Sequence, residues 1–258
     1  MRGMQEDAAG FTNWSPARVA SAAAVQARSV LLLENLQREA KGTGFILDRI
    51  GVITCHHVIE GGDPRSLVGT LPDGSRVPFS EVRSDPELDL ALLNPSRMLN
   101  GGLSLGKSGS LQIGTPLRTW GHPLGYGGPA PLLSTGYLAG ITESSGGRGG
   151  GGRLIVNAAF NKGNSGGPLF VGDGAEVVGV VVTKHTPMTP WIHSAIQALS
   201  ANHSGLVFEA KMVDGTTRRL AESQIVADVL EFYRQLSQYM IGEAIPSEEV
   251  AGFVNRST

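Results

Sequence analysis

The chain has 258 residues, 36 of them glycine and 14 proline, with a formal net charge of −2 and a single cysteine. That length suits one large domain or two small ones and buries roughly 70–75% of the unfolded surface, so a core forms without covalent staples. Cys55, alone, closes no internal disulfide, which sets the chain outside the disulfide-dense secreted class and suits a reducing compartment. Near-neutral charge argues against a dedicated nucleic-acid binder, and no apolar stretch approaches the roughly 20 residues that span a bilayer.

The N-terminal arm, residues 1–28, is rich in alanine and lacks the charged start, apolar middle and small-residue cleavage site of a secretory leader. A cytoplasmic protein is therefore expected. Ser15-Pro16 reads as a helix start, with serine as cap and proline at the first helical position. From Ser29 onward, short apolar runs are separated by turn chemistry, the rhythm of a β sandwich or barrel rather than of βαβ units. Runs at 29–34, 43–47 and 51–55 come first; those at 66–71 and 76–80 flank the hairpin turn Pro72-Asp73-Gly74-Ser75. Others lie at 88–93, 117–121, 132–141, 153–159, 168–171, 176–183, 206–213 and 239–245. The thin stretch 95–112 reads as a connection between two β-rich halves.

Two segments break the rhythm. The tract Gly146 to Gly152 is too flexible to hold a strand and reads as a surface loop. From Thr216 to Tyr239, Leu220, Ile225, Val229, Phe232, Tyr233 and Leu236 recur at helical spacing, and a second helix is expected at Pro190 to Ala201, capped by Thr189.

The chemistry lies in three strings. In Gly163-Asn164-Ser165-Gly166-Gly167-Pro168 a serine is set in glycines, which lets its hydroxyl stand exposed while backbone N–H groups turn toward one point, as an oxyanion hole requires. Taken alone, Gly-x-Ser-x-Gly is also the nucleophile elbow of an α/β-hydrolase, but a helix follows that elbow whereas proline and an apolar strand follow here. In Thr54-Cys55-His56-His57-Val58 a strand ends in two histidines, one of which can act as a base. In Leu88-Asp89-Leu90-Ala91-Leu92 a carboxylate sits in an apolar run, where an unpaired charge costs several kcal/mol. A histidine N–H would satisfy it and orient the ring.

These strings resemble the three catalytic blocks of trypsin-like serine proteases, most closely their HtrA/DegP-like branch. Gly42-Thr43-Gly44-Phe45, Gly121-His122-Pro123-Leu124-Gly125, Ser134-Thr135-Gly136 and Gly242-Glu243-Ala244-Ile245-Pro246 add to the likeness, which spans about 28–182 and 240–254. The resemblance implies an all-β fold of two six-stranded antiparallel barrels, 29–108 and 109–258, from which the helical pattern departs as an insertion at about 184–238. It implies Ser165 as nucleophile, His57 as general base and acid, Asp89 as the orienting carboxylate, and backbone groups of Gly163, Asn164 and Ser165 around the oxyanion. Ala159 resembles the floor of the primary substrate pocket, which implies a small or medium apolar side chain there, and Ile241, Gly242 and Glu243 resemble its wall, where Glu243 departs from the family and could readmit a polar one. Protein or peptide is the implied substrate; the segment at 184–238, longer than the corresponding connection in that branch, is read as a regulatory partner surface, and no nucleic acid, membrane, metal or cofactor is expected. Only eleven residues follow Ser247, too few for the PDZ domain usual in that branch. The alternatives are an α/β-hydrolase, for which alternating helices are lacking, and a protease-fold peptide-binding or scaffold module whose triad is latent.

Overall fold

The computed structural model describes residues 21–38, 40–142, 152–184, 190–211, 217–236 and 240–256. It divides into two units, residues 1–184 with 240–258, and residues 185–239. The Ser15-Pro16 helix start, Thr189 and all but Gly152 of the glycine tract lie outside the described residues.

The larger unit opens with helix α1 (Ser21–Arg28). Strands β1 (Val30–Asn35), β2 (Ala40–Leu47), β3 (Gly51–Thr54), β4 (Leu67–Thr70), β5 (Arg76–Asp85) and β6 (Leu90–Pro95) then close a barrel in the order β1-β2-β3-β6-β5-β4. Every pairing in it is antiparallel. The one-turn helix α2 (His56–Ile59) follows β3. The expected hairpin forms at Pro72 to Ser75, with Gly74 at φ 83° and the Asp73 carboxylate accepting from the Ser75 N–H at 2.8 Å. The stretch 95–112 is more than a connection, because β7 (Ser104–Leu105) lies within it.

The second barrel contains β8 (Pro116–Gly121), β9 (Leu132–Thr142), β10 (Arg153–Val156), β11 (Pro168–Val171) and β12 (Glu176–Lys184). Beyond the inserted strands β13 (Val207–Lys211) and β14 (Thr217–Ala221) it is completed by β15 (Gly242–Pro246). The order is β11-β8-β9-β10-β15-β12, closed by pairing of β11 with β12, and β7 adds to β12 in parallel. Two six-stranded antiparallel barrels are thus the architecture, as the sequence implied. Helix α5 (Ser247–Asn255) ends the unit.

The unbroken valine run of β12 has a physical reason. Val177 and Val180 belong to the core cluster that holds Phe45, Ile53 and Leu93 of the first barrel, whereas Val178 and Val181 join Leu138, Leu154, Phe160 and Leu169 of the second. A strand covered on both faces shows no alternation, and each such side chain contributes about 1.5–3 kcal/mol on burial.

Three sequence expectations shift. The run 88–93 begins its strand only at Leu90, because Asp85 to Asp89 form the tight end of the β5–β6 hairpin, with Asp85 paired to Leu90. The run 239–245 begins its strand at Gly242. In the smaller unit the helical pattern 216–239 splits into β14, paired along its length with β13, and helix α4 (Glu222–Leu236). The Gln224 side chain accepts from the Ala221 N–H at 3.0 Å and marks that helix start. Helix α3 (Pro190–Ala201) forms over the expected residues.

Candidate active site

Strand β3 is fixed between β2 and β6, with Val52, Ile53 and Thr54 buried, and delivers the chain to Cys55 and α2 at the barrel rim. His57 Nδ1 lies 2.8 Å from Asp89 Oδ2, and the His57 backbone N–H donates to Asp89 Oδ1 at 3.0 Å. The His56 N–H donates to the Asp89 carbonyl at 3.1 Å. Asp89 has φ 61°, a left-handed conformation that aspartate tolerates better than most residues. Such strain costs about 1–3 kcal/mol and persists only where the surroundings over-determine it, as the three bonds to His56 and His57 do here. Asp89 is therefore not buried within a strand, as its apolar flanks suggested. It stands at a hairpin end with its side chain 20% exposed, next to an imidazole 44% exposed.

Ser165 lies in the loop before β11 and is almost fully buried. Its carbonyl accepts from the Thr43 N–H at 2.9 Å, and Thr43 Oγ1 donates to the Gly163 carbonyl at 2.7 Å while accepting from the His122 N–H at 3.0 Å. Thr54 Oγ1 donates to the Thr43 carbonyl at 2.7 Å. A fully buried threonine on β2 thus ties the serine loop of one barrel to the rim of the other. Two glycines are obligatory in that loop. At Gly163, φ 97°, a Cβ would stand 2.2 Å from the His122 carbonyl oxygen, and at Gly166, φ 88°, it would stand 2.0 Å from that of Thr43.

The loop leaves two donors unspent. Asn164 N–H donates to the Asn161 carbonyl at 3.0 Å, while among the described residues Gly163 and Ser165 N–H find no protein acceptor. Backbone donors held ready in this way suit a developing oxyanion, and Asn164 contributes the turn rather than a donor. The Ser165 hydroxyl itself donates to the Val182 carbonyl of β12, and among the described residues no hydrogen bond joins it to His57.

Of the residues read as a substrate pocket, Ala159 is half-buried and its carbonyl accepts from the Asn164 side-chain amide at 3.3 Å. Gly242 starts β15 between Val156 and Lys184, and a Cβ there would lie 2.1 Å from the Phe160 ring, so that ring fills the space. Ile241 precedes the strand and is exposed, and Glu243 is half-buried beside Ile155.

Cys55, His57 and Asp89 bring atoms of metal-ligand type within 4.8 Å of one another. The Cys55 thiol donates to the Val181 carbonyl at 3.3 Å, and burial, reinforced by the charge of Asp89, pushes it well above its usual range. That is the reverse of what a thiolate ligand needs. His122 is likewise unused by the expected chemistry. Burial pushes its pKa down to about 4 against the pull of the Pro129 carbonyl, 3.0 Å from Nε2, and among the described residues its buried Nδ1 has no partner. Thr43, Val182 and His122 escape a sequence reading of function because their roles are contacts between residues far apart in the chain, across the barrels for Thr43 and His122 and within the second barrel for Val182. Only the Gly-Thr-Gly and Gly-His-Pro strings pointed toward two of them.

The trypsin-like peptidase domain matches residues 42–180. Over 155 residues the chain is 32% identical to a probable periplasmic serine endoprotease, DegP-like, of Brucella suis, covering 57% of this chain and 28% of that protein. Over 186 residues it is 34% identical to the serine protease PepD of Mycobacterium tuberculosis, covering 65% of this chain and 39% of that one. The chain therefore spans about a third of the length of these curated relatives. In fold it is similar to the HtrA-type protease AlgW with tripeptide, at TM-score 0.60 and 22% identity, covering 92% of this chain and 62% of that one. The periplasmic name of the Brucella protein overturns the cytoplasmic expectation. A lone buried thiol that needs no disulfide is as compatible with an oxidising compartment as with a reducing one, so the cysteine count did not locate the protein. With the matched domain covering more than half of its residues, this chain belongs to the trypsin-like peptidase family.

Proposed function

We propose that the protein is an HtrA/DegP-like serine endopeptidase working in the periplasm. Ser165 attacks a peptide carbonyl, His57 takes its proton and returns it to the leaving amine, and Asp89 holds the imidazole in the tautomer that accepts at Nε2. The unspent N–H groups of Gly163 and Ser165 receive the tetrahedral oxyanion, and water resolves the acyl-enzyme. The observation that carries this reading is the 2.8 Å His57–Asp89 pair on one barrel, supported by the tie that Thr43 of the same barrel makes to the serine loop of the other. Ala159 and the Phe160 ring packed on Gly242 support a pocket for small apolar side chains. The smaller unit, residues 185–239, carries the regulatory partner surface; Trp191, Phe232 and Tyr233 are exposed on it.

One observation favours a latent resting form. With its O–H donating to the Val182 carbonyl, the Ser165 hydroxyl is not engaged by a base, and the working form needs that hydroxyl turned toward His57. Fluorophosphonate labelling and casein cleavage, with and without added peptides, test both forms. Wild-type protein is expected to label at Ser165, more strongly with peptide present. Ser165→Ala should lose the label and about 10⁴- to 10⁶-fold in kcat. Undiminished labelling of that variant sinks the assignment.

A further inference from the structure

Helix α5 is fastened to the hairpin that carries Asp89. Arg83, near the end of β5, donates from Nη1 to the Arg256 carbonyl at 2.6 Å and from Nη2 to the carbonyls of Phe253 and Val254 at 3.1 Å each. Its guanidinium also lies over the Phe253 ring, 4.9 Å from the centroid. These carbonyls are acceptors that a helix end leaves without internal partners, so one arginine caps the helix and holds it against the first barrel. Arg256 completes the loop of contacts, with Nη1 donating to Asp85 Oδ2 at 2.8 Å. The other oxygen of that carboxylate, Oδ1, accepts from the N–H groups of Glu87 and Leu88 at 3.0 Å each. Those are the residues leading into Asp89 and its left-handed backbone.

The opposite end of α5 is anchored as well. The Glu248 carboxylate accepts from the N–H groups of Ser108 at 2.9 Å and Gly109 at 3.0 Å and from the Ser108 hydroxyl. The helix is thus a strut fixed at both ends. Its Arg256 end holds one oxygen of the Asp85 carboxylate while the hairpin backbone holds the other. From the other side Arg153, at the start of β10, brings Nη2 to 3.5 Å from the Leu88 carbonyl. The hairpin end also borders a cleft of about 560 Å³ lined by Arg83, Asp85, Glu87, Phe253 and Arg256 among others, so that without the Arg256 contact Asp85 Oδ2 faces solvent and only the two backbone bonds to Oδ1 hold the carboxylate.

We propose that Arg256 is a positioning residue for the candidate triad, acting through Asp85 on the hairpin end that holds Asp89 toward His57. This deepens the peptidase reading and rests on it. Arg256 touches neither His57 nor Ser165, and its effect is on orientation. The side chain is 60% exposed and the contact is one charged pair with its partner 18% exposed, so the effect is modest.

The test follows two readouts on the same protein, kcat and KM for a peptide substrate and the far-downfield NMR resonance of the His57 Nδ1 proton shared with Asp89. Arg256→Ala is expected to lower kcat roughly three- to tenfold with KM within about twofold, and to shift or broaden that resonance. Arg256→Lys, which keeps the charge, should restore most of both. If wild-type protein proves inactive while the resonance still responds to Arg256→Ala and recovers in Arg256→Lys, the positioning role stands and the peptidase reading falls. A resonance unmoved by Arg256→Ala, or a loss of kcat that lysine does not restore, overturns the proposal. Should the alanine variant fail to fold by circular dichroism, Arg256→Gln takes its place under the same criteria.

Discussion

The first barrel presents His57 and Asp89 already joined at 2.8 Å, whereas the second presents Ser165 with its hydroxyl turned to the Val182 carbonyl. The difference follows from how each group is held. The two members of the base pair sit at neighbouring ends of β3 and β6, strands that are themselves paired from Val52 to Thr54, and the backbone of His56 and His57 binds Asp89 directly. Ser165 is fixed just as firmly in its backbone, through the Thr43 N–H and the glycine turns, yet its hydroxyl turns about a single bond and takes a carbonyl that lies in reach. Under the proposed mechanism, the step from resting to working form is then a local rotation of the Ser165 side chain.

The comparison can be broken most severely at its closed half. Asp89→Asn keeps shape but presents the wrong hydrogen-bonding pattern to Nδ1, and kcat is expected to fall about 10⁴-fold in a steady-state peptide assay, the size seen when a triad histidine is held in the wrong tautomer. A loss below tenfold would mean that the pair is structural. Damage to the other half falls on folding. In Gly166→Ala a methyl would lie 2.0 Å from the Thr43 carbonyl oxygen on a backbone that disfavours it, so destabilisation of about 4 kcal/mol or more is expected in chemical denaturation.

The tie between the halves is sharpened by Thr43→Val, which preserves volume but leaves the Gly163 carbonyl and the His122 N–H without their partner. A stability loss of about 2–4 kcal/mol is expected from two buried unsatisfied groups, together with slower fluorophosphonate labelling because the oxyanion turn loosens. Unchanged labelling would show that the turn holds its shape unaided.

Acid should act on the second barrel through His122. Its folded pKa of about 4 lies below the ordinary histidine value, so the unfolded chain takes up the proton first. Stability is full at neutral pH and declines as pH falls from about 6.5 to about 4, by at most about 3 kcal/mol. His122→Gln, able to keep a donor toward Pro129, should flatten that part of the curve of denaturation midpoint against pH. A variant as acid-sensitive as wild type would place the titration elsewhere.

Much of this architecture was legible before folding was considered. Hairpin chemistry at Pro72 to Ser75 located a turn because only local backbone geometry was at stake, and the glycines around Ser165 marked a loop that a side chain would block. The apolar flanks of Asp89 misled, since Leu88 and Leu90 are both buried although the residue between them ends a hairpin. The helical period at 216–239 misled in part, because pairing with β13 takes Thr217 to Ala221 before a helix can claim them.

By itself, the order of residues determined the class of chemistry and the all-β character. Both depend on which side chains occur and on short-range spacing, and a histidine, a carboxylate and a glycine-flanked serine are visible as text. Only the tertiary structure decided that Thr43 ties the serine loop down, that Val182 holds the hydroxyl, and that α5 reaches the Asp89 hairpin through Arg256. Each of these is a contact between residues distant along the chain, and distances of that kind come into being only when both barrels close.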